Sequence, residues 1–285
     1  MVGPAGTLTI ATCQFPVSGQ IDRNLQWICR FIDQAAAQGA EVLQMPEAAL
    51  TGYPGVDMPD MGSLDWTRLH RATRRVMDKA AGKGIWVLLG SAHRLSQVAR
   101  PHNCVYIIGP DGTLKGRYDK RFCMPAELAH YTPGRHFEVF QINGVRCSTL
   151  ICFDLRFPEL YRQLYREGVR CVFQSCYNAR QSGPSVHNHI MIQTMQAHAA
   201  CNAFWISVAN SSGYYSPYPS CLIQPDGQVV ARLRRNRAGL LVRTIDINQQ
   251  FYDPMRGIRE LAIEGRLGNY PEQLDDPSSS DTTGL

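Results

Sequence analysis

The chain has 285 residues, 44% hydrophobic and 19% charged, the composition of an ordinary globular protein able to bury a full core in one or two domains. Its 29 basic and 24 acidic residues leave a formal charge of +5, too small and too scattered for a nucleic-acid binder. No apolar run approaches the roughly 20 residues that cross a bilayer, and the first residues lack a charged then apolar leader, so a cytosolic protein without membrane or export segments is expected.

Strands and helices alternate along the sequence. Residues 8–14 alternate in polarity and read as a strand. Leu25, Ile28, Ile32 and Ala35 then recur at helical spacing up to Gly39. Residues 41–45 form a short strand stopped by Pro46. Leu69, Ala72, Val76 and Ala80 mark a second helix, closed by Gly82 and Gly84, and 85–91 is a continuous apolar strand of the type covered on both faces. Two hairpins follow, 103–118 around Pro110-Asp111-Gly112 and 137–151 around Asn143-Gly144. Next come a helix at 159–167, a strand at 169–174, a helix at 190–202 and a strand at 204–209. A second Pro-Asp-Gly hairpin over 221–233 and a strand at 240–245 complete the pattern. The two Pro-Asp-Gly hairpins resemble each other, which points to two similar halves: two sheets face to face with helices outside. Periodicity is lost past Gly268, so residues 1–268 read as a single domain and 269–285 as a C-terminal tail, mobile at its end.

Ten cysteines contain no C-x-x-C pair, which argues against a structural zinc site; in a chain of this size without an export signal, reduced thiols are expected. Lysine is scarce: Lys79, Lys83, Lys115 and Lys120 stand among 29 cationic residues. Three ionisable side chains follow the ends of apolar strands, where crevices form in α/β folds. Glu47 comes after Val42-Leu43-Gln44-Met45-Pro46. Lys120 ends the strand of the first Pro-Asp-Gly hairpin. Cys152 follows Ser148-Thr149-Leu150-Ile151 and precedes a helix starting near Pro158, a layout like a nucleophile elbow. Each has an ordinary structural alternative: a solvated Glu, a solvated strand-end Lys, or one more buried thiol. Together they supply a base, an electrophile and a nucleophile for acyl transfer.

Met45-Pro46-Glu47 with Thr51-Gly52-Tyr53-Pro54, then Tyr118-Asp119-Lys120-Arg121, then Cys152-Phe153-Asp154-Leu155-Arg156-Phe157-Pro158-Glu159 resemble the carbon–nitrogen hydrolase (nitrilase-like) superfamily in order and spacing. The resemblance covers roughly residues 8–265. It implies an α/β fold, a four-layer α-β-β-α sandwich of two mixed sheets, and a Glu-Lys-Cys triad cleaving a non-peptide C–N bond through a thioester. Carried onto this chain, Glu47 is the general base, Lys120 the oxyanion-stabilising cation, Cys152 the nucleophile and the Phe153 N–H a second oxyanion donor. Glu127, upstream of Pro133-Gly134, is assigned to positioning Lys120 and substrate or to a share of proton transfer. Tyr53, Arg156, Tyr177 and Asn178 are the candidate substrate contacts; Arg156 could hold a carboxylate, although a structural salt bridge to Glu159 or another acid is the favoured reading of that residue. The resemblance implies no metal or cofactor, and a homodimer or higher homo-oligomer paired through the Cys-bearing region.

The expected activity is hydrolysis of a small amide or carbamoyl compound, releasing ammonia or an amine. A nitrilase acting on a C≡N bond and a non-catalytic binding member are the alternatives. A Cys-His hydrolase would need His187, His189 or His198, which read instead as helix-start or core residues. One departure stands out: where the family often has Arg-Ala-x-Glu-Asn, this chain has Cys201 at the acidic position, followed by Asn202.

Overall fold

The computed structural model describes residues 5–96, 99–180, 182–269, 276–279 and 281–283. The chain divides into two compact units, residues 1–252 and 253–285. Of the tail expected over 269–285, residues 270–275, 280, 284 and 285 lie outside the described residues. The second unit contains a short helix, Arg259–Ile263, and an ion pair between Arg259 Nη2 and Asp253 Oδ1 at 2.7 Å.

The first unit is a four-layer α-β-β-α sandwich. Its strands are β1 (Thr7–Gln14), β2 (Val42–Gln44), β3 (Trp86–His93), β4 (His102–Ile108), β5 (Leu114–Asp119), β6 (Val139–Ile142), β7 (Val145–Ile151), β8 (Cys171–Ser175), β9 (Trp205–Ala209), β10 (Cys221–Ile223), β11 (Val229–Arg232) and β12 (Gly239–Asp246). One sheet has the order β12-β1-β2-β3-β4-β5 and the other β11-β10-β9-β8-β7-β6. Read from β12 and from β6, both run antiparallel, parallel, parallel, antiparallel, antiparallel.

Period-two patterning explains the layers. In β1, Leu8 and Ile10 enter the core shared with the second sheet, while Ala11 and Cys13 pack with helices α1 (Ile21–Ala37) and α2 (Trp66–Lys83). Helices α3 (Pro158–Arg166) and α4 (His187–Asn202) cover the second sheet, contributing Leu160, Leu164, Met191 and Met195 to its core. Asp65 caps the start of α2 by accepting from Arg68 N at 2.8 Å. Gly84, in left-handed backbone, ends that helix; Gly82 lies inside it and does not share in the stop, as an isolated glycine in a helix can.

The expected likeness of the two halves extends to their Pro-Asp-Gly turns. Gly112 and Gly227 both have positive φ, at +74° and +87°. A Cβ on Gly112 would meet Met77 O and the Ala81 Cβ; one on Gly227 would meet Gln196 O and the Ala200 Cβ. Each turn thus seats its glycine on a carbonyl and on the alanine four residues later, on α2 in one half and α4 in the other.

Candidate active site

The ends of β2, β5, β7 and β8 converge. Pro46 leads the chain out of β2 so closely over β3 that a Cβ on Gly90 would fall 2.1 Å from the Pro46 carbonyl oxygen. Only glycine permits that approach. The Glu47 carboxylate then turns inward, where Oε1 accepts from Asn103 Nδ2 at 2.7 Å and Lys120 Nζ at 2.8 Å. Its Oε2 accepts from the Tyr177 N–H at 2.8 Å, and the Glu47 N–H donates to Cys176 O at 3.3 Å, so β2 and β8 are tied at this point.

Lys120 is fixed through its backbone: its N–H donates to Asn103 O and its carbonyl accepts from Gly134 N, both at 2.8 Å. Its ammonium also donates to Glu127 Oε1 at 2.6 Å. Glu127 lies on a 3-10 turn, Glu127–Ala129, and also accepts from Tyr53 OH at 2.7 Å and Met124 N at 2.7 Å. Glu47, Lys120 and Glu127 are all buried. Two carboxylates therefore share one ammonium away from water. Burial would discharge Lys120, but the fields of Glu47 and Glu127 outweigh it and hold its pKa well above the ordinary value. Burial pushes Glu47 up from the usual carboxylate range; Lys120 opposes and Glu127 adds to the rise. The raised pKa makes the Glu47 carboxylate a stronger proton acceptor than a solvated one.

Cys152 begins a 3-10 turn, Cys152–Arg156, with φ of +41°, a left-handed conformation that is costly for a residue with a Cβ. The residue as a whole is 6% exposed. A hydrogen bond with the Cys176 thiol, then burial and the field of Glu47, hold its pKa well above the free-thiol value, with Lys120 opposing, so the resting sulfur is a neutral thiol. Asn178 Oδ1 lies 3.9 Å from Sγ and also accepts from Tyr218 OH. Asn178 is further held by Asn210, which accepts from its N–H at 2.8 Å.

The expected elbow is held by a carboxylate that the motif contains but whose role it does not reveal. Buried Asp154 accepts from Ile151 N (3.0 Å) and Tyr118 OH (2.8 Å) on one oxygen and Phe122 N (2.8 Å) on the other. It thereby ties the segment after Lys120 to the turn that carries Cys152. Burial raises its pKa to about 6 against the pull of those donors and of Lys120.

Above the thiol lies a cavity of about 120 Å³, whose wall includes Tyr53, Cys152, Phe153, Arg156, Tyr177 and Asn178. Cys152, Phe153 and all four candidate substrate contacts therefore meet in one place, with the Glu47–Lys120–Glu127 cluster buried behind them. Tyr53 and Tyr177 stack with ring centroids 4.8 Å apart. Arg156 is exposed, and the salt bridge to Glu159 or another acid is not found: no ion pair of Arg156 occurs among the described residues. Arg156 ends the 3-10 turn that begins at Cys152 and lies on the cavity wall. Arg180, also on the wall, pairs with the buried Asp57 through Nε–Oδ1 at 3.0 Å.

The histidines divide. His198 is a core residue, stacked on Tyr161 at 3.8 Å and bonded to Leu155 O at 2.8 Å. His189 is exposed on α4, and His187 starts α4 as expected but also reaches the cavity wall. Asn103, Asp57, Arg180 and the second thiol Cys176 are absent from the sequence-based set. Asn103 and Gln174 carried a usable signal, a lone amide in an apolar strand; the Asp57–Arg180 pair, 123 positions apart, carried none. Cys201, at the family's acidic position, accepts from Arg162 Nη1 through its carbonyl at 3.1 Å. The described residues contain no His/Cys/Asp/Glu group able to hold a metal, and no helix long and apolar enough to cross a membrane.

Comparison with known proteins agrees with this architecture. The family model described as carbon-nitrogen hydrolase matches residues 9–250. A 2-oxoglutaramate amidase of Bacillus subtilis is 26% identical over 85% of this chain and 92% of its own length. A protein described as hydrolase in agr operon, from Staphylococcus lugdunensis, is 30% identical over 73% of this chain and 88% of its own. Among solved structures, a variant of the amidase from Nesterenkonia sp. AN1, with the acetamide moiety of fluoroacetamide added covalently at its active-site cysteine, superposes with a TM-score of 0.75 at 22% identity, covering 87% of this chain and 94% of that one. With a family match spanning both sheets and every strand end that builds the site, the chain belongs to the carbon–nitrogen hydrolase family.

Proposed function

We propose that the protein is an amidase that cleaves the C–N bond of a small amide or carbamoyl compound through a thioester on Cys152. The observation that carries this reading is the buried Glu47–Lys120–Glu127 cluster behind a cavity on whose wall lies a neutral thiol in strained backbone. Glu47 accepts the thiol proton as sulfur attacks the carbonyl carbon. The charge that develops on the carbonyl oxygen is met by Lys120 and the Phe153 N–H. Glu47 returns the proton to the leaving nitrogen, the C–N bond breaks, and ammonia or an amine departs. Water then loses a proton to Glu47 and adds to the thioester; the second tetrahedral intermediate expels sulfur, which recovers the proton, and the acid leaves. Glu127 and Tyr53 hold the ammonium in place.

Arg156 at the cavity, without an acidic partner among the described residues, favours a substrate whose far end carries a carboxylate, and the curated relative named a 2-oxoglutaramate amidase is in keeping with such a substrate. Cys152→Ala is expected to abolish ammonia release from every amide the enzyme hydrolyses while leaving the circular dichroism spectrum unchanged. Undiminished release by that variant would end this reading. Supplying a matched nitrile and amide separates nitrilase from amidase; the amide is expected to be the substrate that turns over.

A further inference from the structure

The strand register places a second thiol beside Cys152. Strands β7 and β8 are parallel and pair at a constant offset of 24 residues, from Cys147 with Cys171 to Ile151 with Ser175. Cys152 and Cys176 are the residues that immediately follow the last of these pairs, one at the end of each strand. Neighbouring strands lie about 4.8 Å apart, within the Cα separation of about 4.4–6.8 Å that a disulfide spans. The Cys176 thiol is the first influence on the Cys152 thiol, as only a neighbouring side chain can be. Gln174 Nε2 bridges the pair, 3.3 Å from Cys152 O and 3.9 Å from Cys176 Sγ. The two thiols differ in access: Cys152 is on the cavity wall, whereas Cys176 is wholly buried. An oxidant entering the cavity meets Cys152 first, and the product forms against a thiol that the oxidant cannot reach directly.

We propose that Cys152 and Cys176 form a reversible oxidation site, in which Cys176 resolves oxidised Cys152 into an intramolecular disulfide that switches hydrolysis off until it is reduced. The oxidant is a hydroperoxide such as hydrogen peroxide. In the first step the Cys152 thiol takes one oxygen, giving a sulfenic acid and one water as the O–O bond breaks. In the second, the Cys176 sulfur attacks the sulfenic sulfur, the S–O bond breaks, and the hydroxyl leaves with the Cys176 proton as a second water. Two thiols and one peroxide become one disulfide and two waters. The bond ties up the sulfur needed for attack on an amide. Without Cys176, a second peroxide would carry the sulfenic acid on to a sulfinic acid that thiol reductants do not reverse. The protein also contains its own comparison: Cys147 and Cys171 share the register but are both wholly buried and lie outside the cavity wall.

The test treats the native protein, Cys176→Ala and Cys171→Ser with a small excess of hydrogen peroxide, then with dithiothreitol. Ammonia release is measured relative to each protein's own untreated rate, and tryptic peptides are fragmented to locate the link. The native protein and Cys171→Ser are expected to lose two hydrogens in a Cys152–Cys176 link and to recover most activity on reduction. Cys176→Ala is expected to show no link, to gain two oxygens (about 32 Da) on Cys152, and to recover at least roughly tenfold less. A link mapping to Cys147–Cys171, native protein that goes straight to the sulfinic acid, or equal recovery by Cys176→Ala would each overturn the proposal. If Cys176→Ala does not fold, Cys176→Ser replaces it, and the fragment map of the native protein decides. The activity arm rests on reading Cys152 as the nucleophile; the mass map does not, so the two readings can fail separately.

Discussion

The two sheets repeat one strand order, but matching strand ends hold different chemistry. In the first sheet, β2 leads to Glu47 and β5 to Lys120, both wholly buried and bonded to each other. In the second, the counterpart of β2 is β8, which leads to Cys176, Tyr177 and Asn178, and the counterpart of β5 is β11, followed by Leu233. The counterpart of β1, which runs into Phe15, is β7, which runs into Cys152. One half holds its side of the site with buried charges that need one another; the other presents thiols, amides and hydroxyls, and its buried carboxylate, Asp154, reaches back to the first half. A repeated scaffold has been divided by electrostatics rather than by shape.

That contrast can be broken first at Lys120. Lys120→Met leaves Glu47 and Glu127 facing each other without their ammonium, and breaking a buried ion pair from one side costs about 3–5 kcal/mol. Urea unfolding should show a loss of that size, together with at least a ~100-fold fall in amide turnover from the missing oxyanion donor. Cys152→Ala should lose turnover with a far smaller change in unfolding midpoint; similar midpoint losses for the two variants would erase the distinction between the halves. Glu47→Gln keeps the shape but not the proton acceptor, and a fall of about 10²–10⁴-fold in turnover is expected in the same assay.

Asp154 sharpens the comparison, because it joins the two halves. Its folded pKa, about 6, lies above the ordinary value of 3.8, so its contribution to stability is full below about pH 3.8 and declines as pH rises through 6. The shift corresponds to about 3 kcal/mol. Unfolding free energies measured from pH 3.5 to 7 should therefore fall with pH more steeply for the native protein than for Asp154→Asn. Parallel profiles would place the carboxyl in a wetter setting than its three donors indicate.

The smallest effect tests the repeat itself. Gly112→Ala and Gly227→Ala each force a Cβ into left-handed backbone and against a helix, at a cost of roughly 1–3 kcal/mol. The Cβ on Gly112 would come to 2.7 Å from its nearest atom and that on Gly227 to 2.9 Å, so the first substitution should cost slightly more. A loss at one turn and none at the other, read from thermal midpoints, would mean that the two hairpins are alike in sequence but not in packing.

Much of this was legible in the sequence, for identifiable reasons. Two strand ends are readable because apolar runs stop at Pro46 and Cys152, the one before Lys120 follows from its Pro-Asp-Gly turn, and the two turn tripeptides hint at similar halves. The elbow was readable from strand, turn and Pro158. What stayed hidden depends on side chains meeting across layers. Asn103 sits in an otherwise apolar strand, and its bond to Glu47 spans 56 positions. Cys176 was one thiol among ten until the β7–β8 register placed it beside Cys152. For Arg156 a salt bridge is the reading that acids nearby in sequence favour, and sequence distance does not show that the residue lies on the cavity wall with no ion pair among the described residues.

The most direct measurement is the mass of the enzyme caught in mid-turnover. The protein is mixed with a hydrolysable amide, quenched in acid within milliseconds to seconds, digested and sequenced by mass spectrometry. The expected result is one acyl group, the amide minus ammonia, attached to Cys152 and absent from Cys152→Ala. An acyl group on another residue, or ammonia released at full rate with Cys152 never modified, would contradict the account.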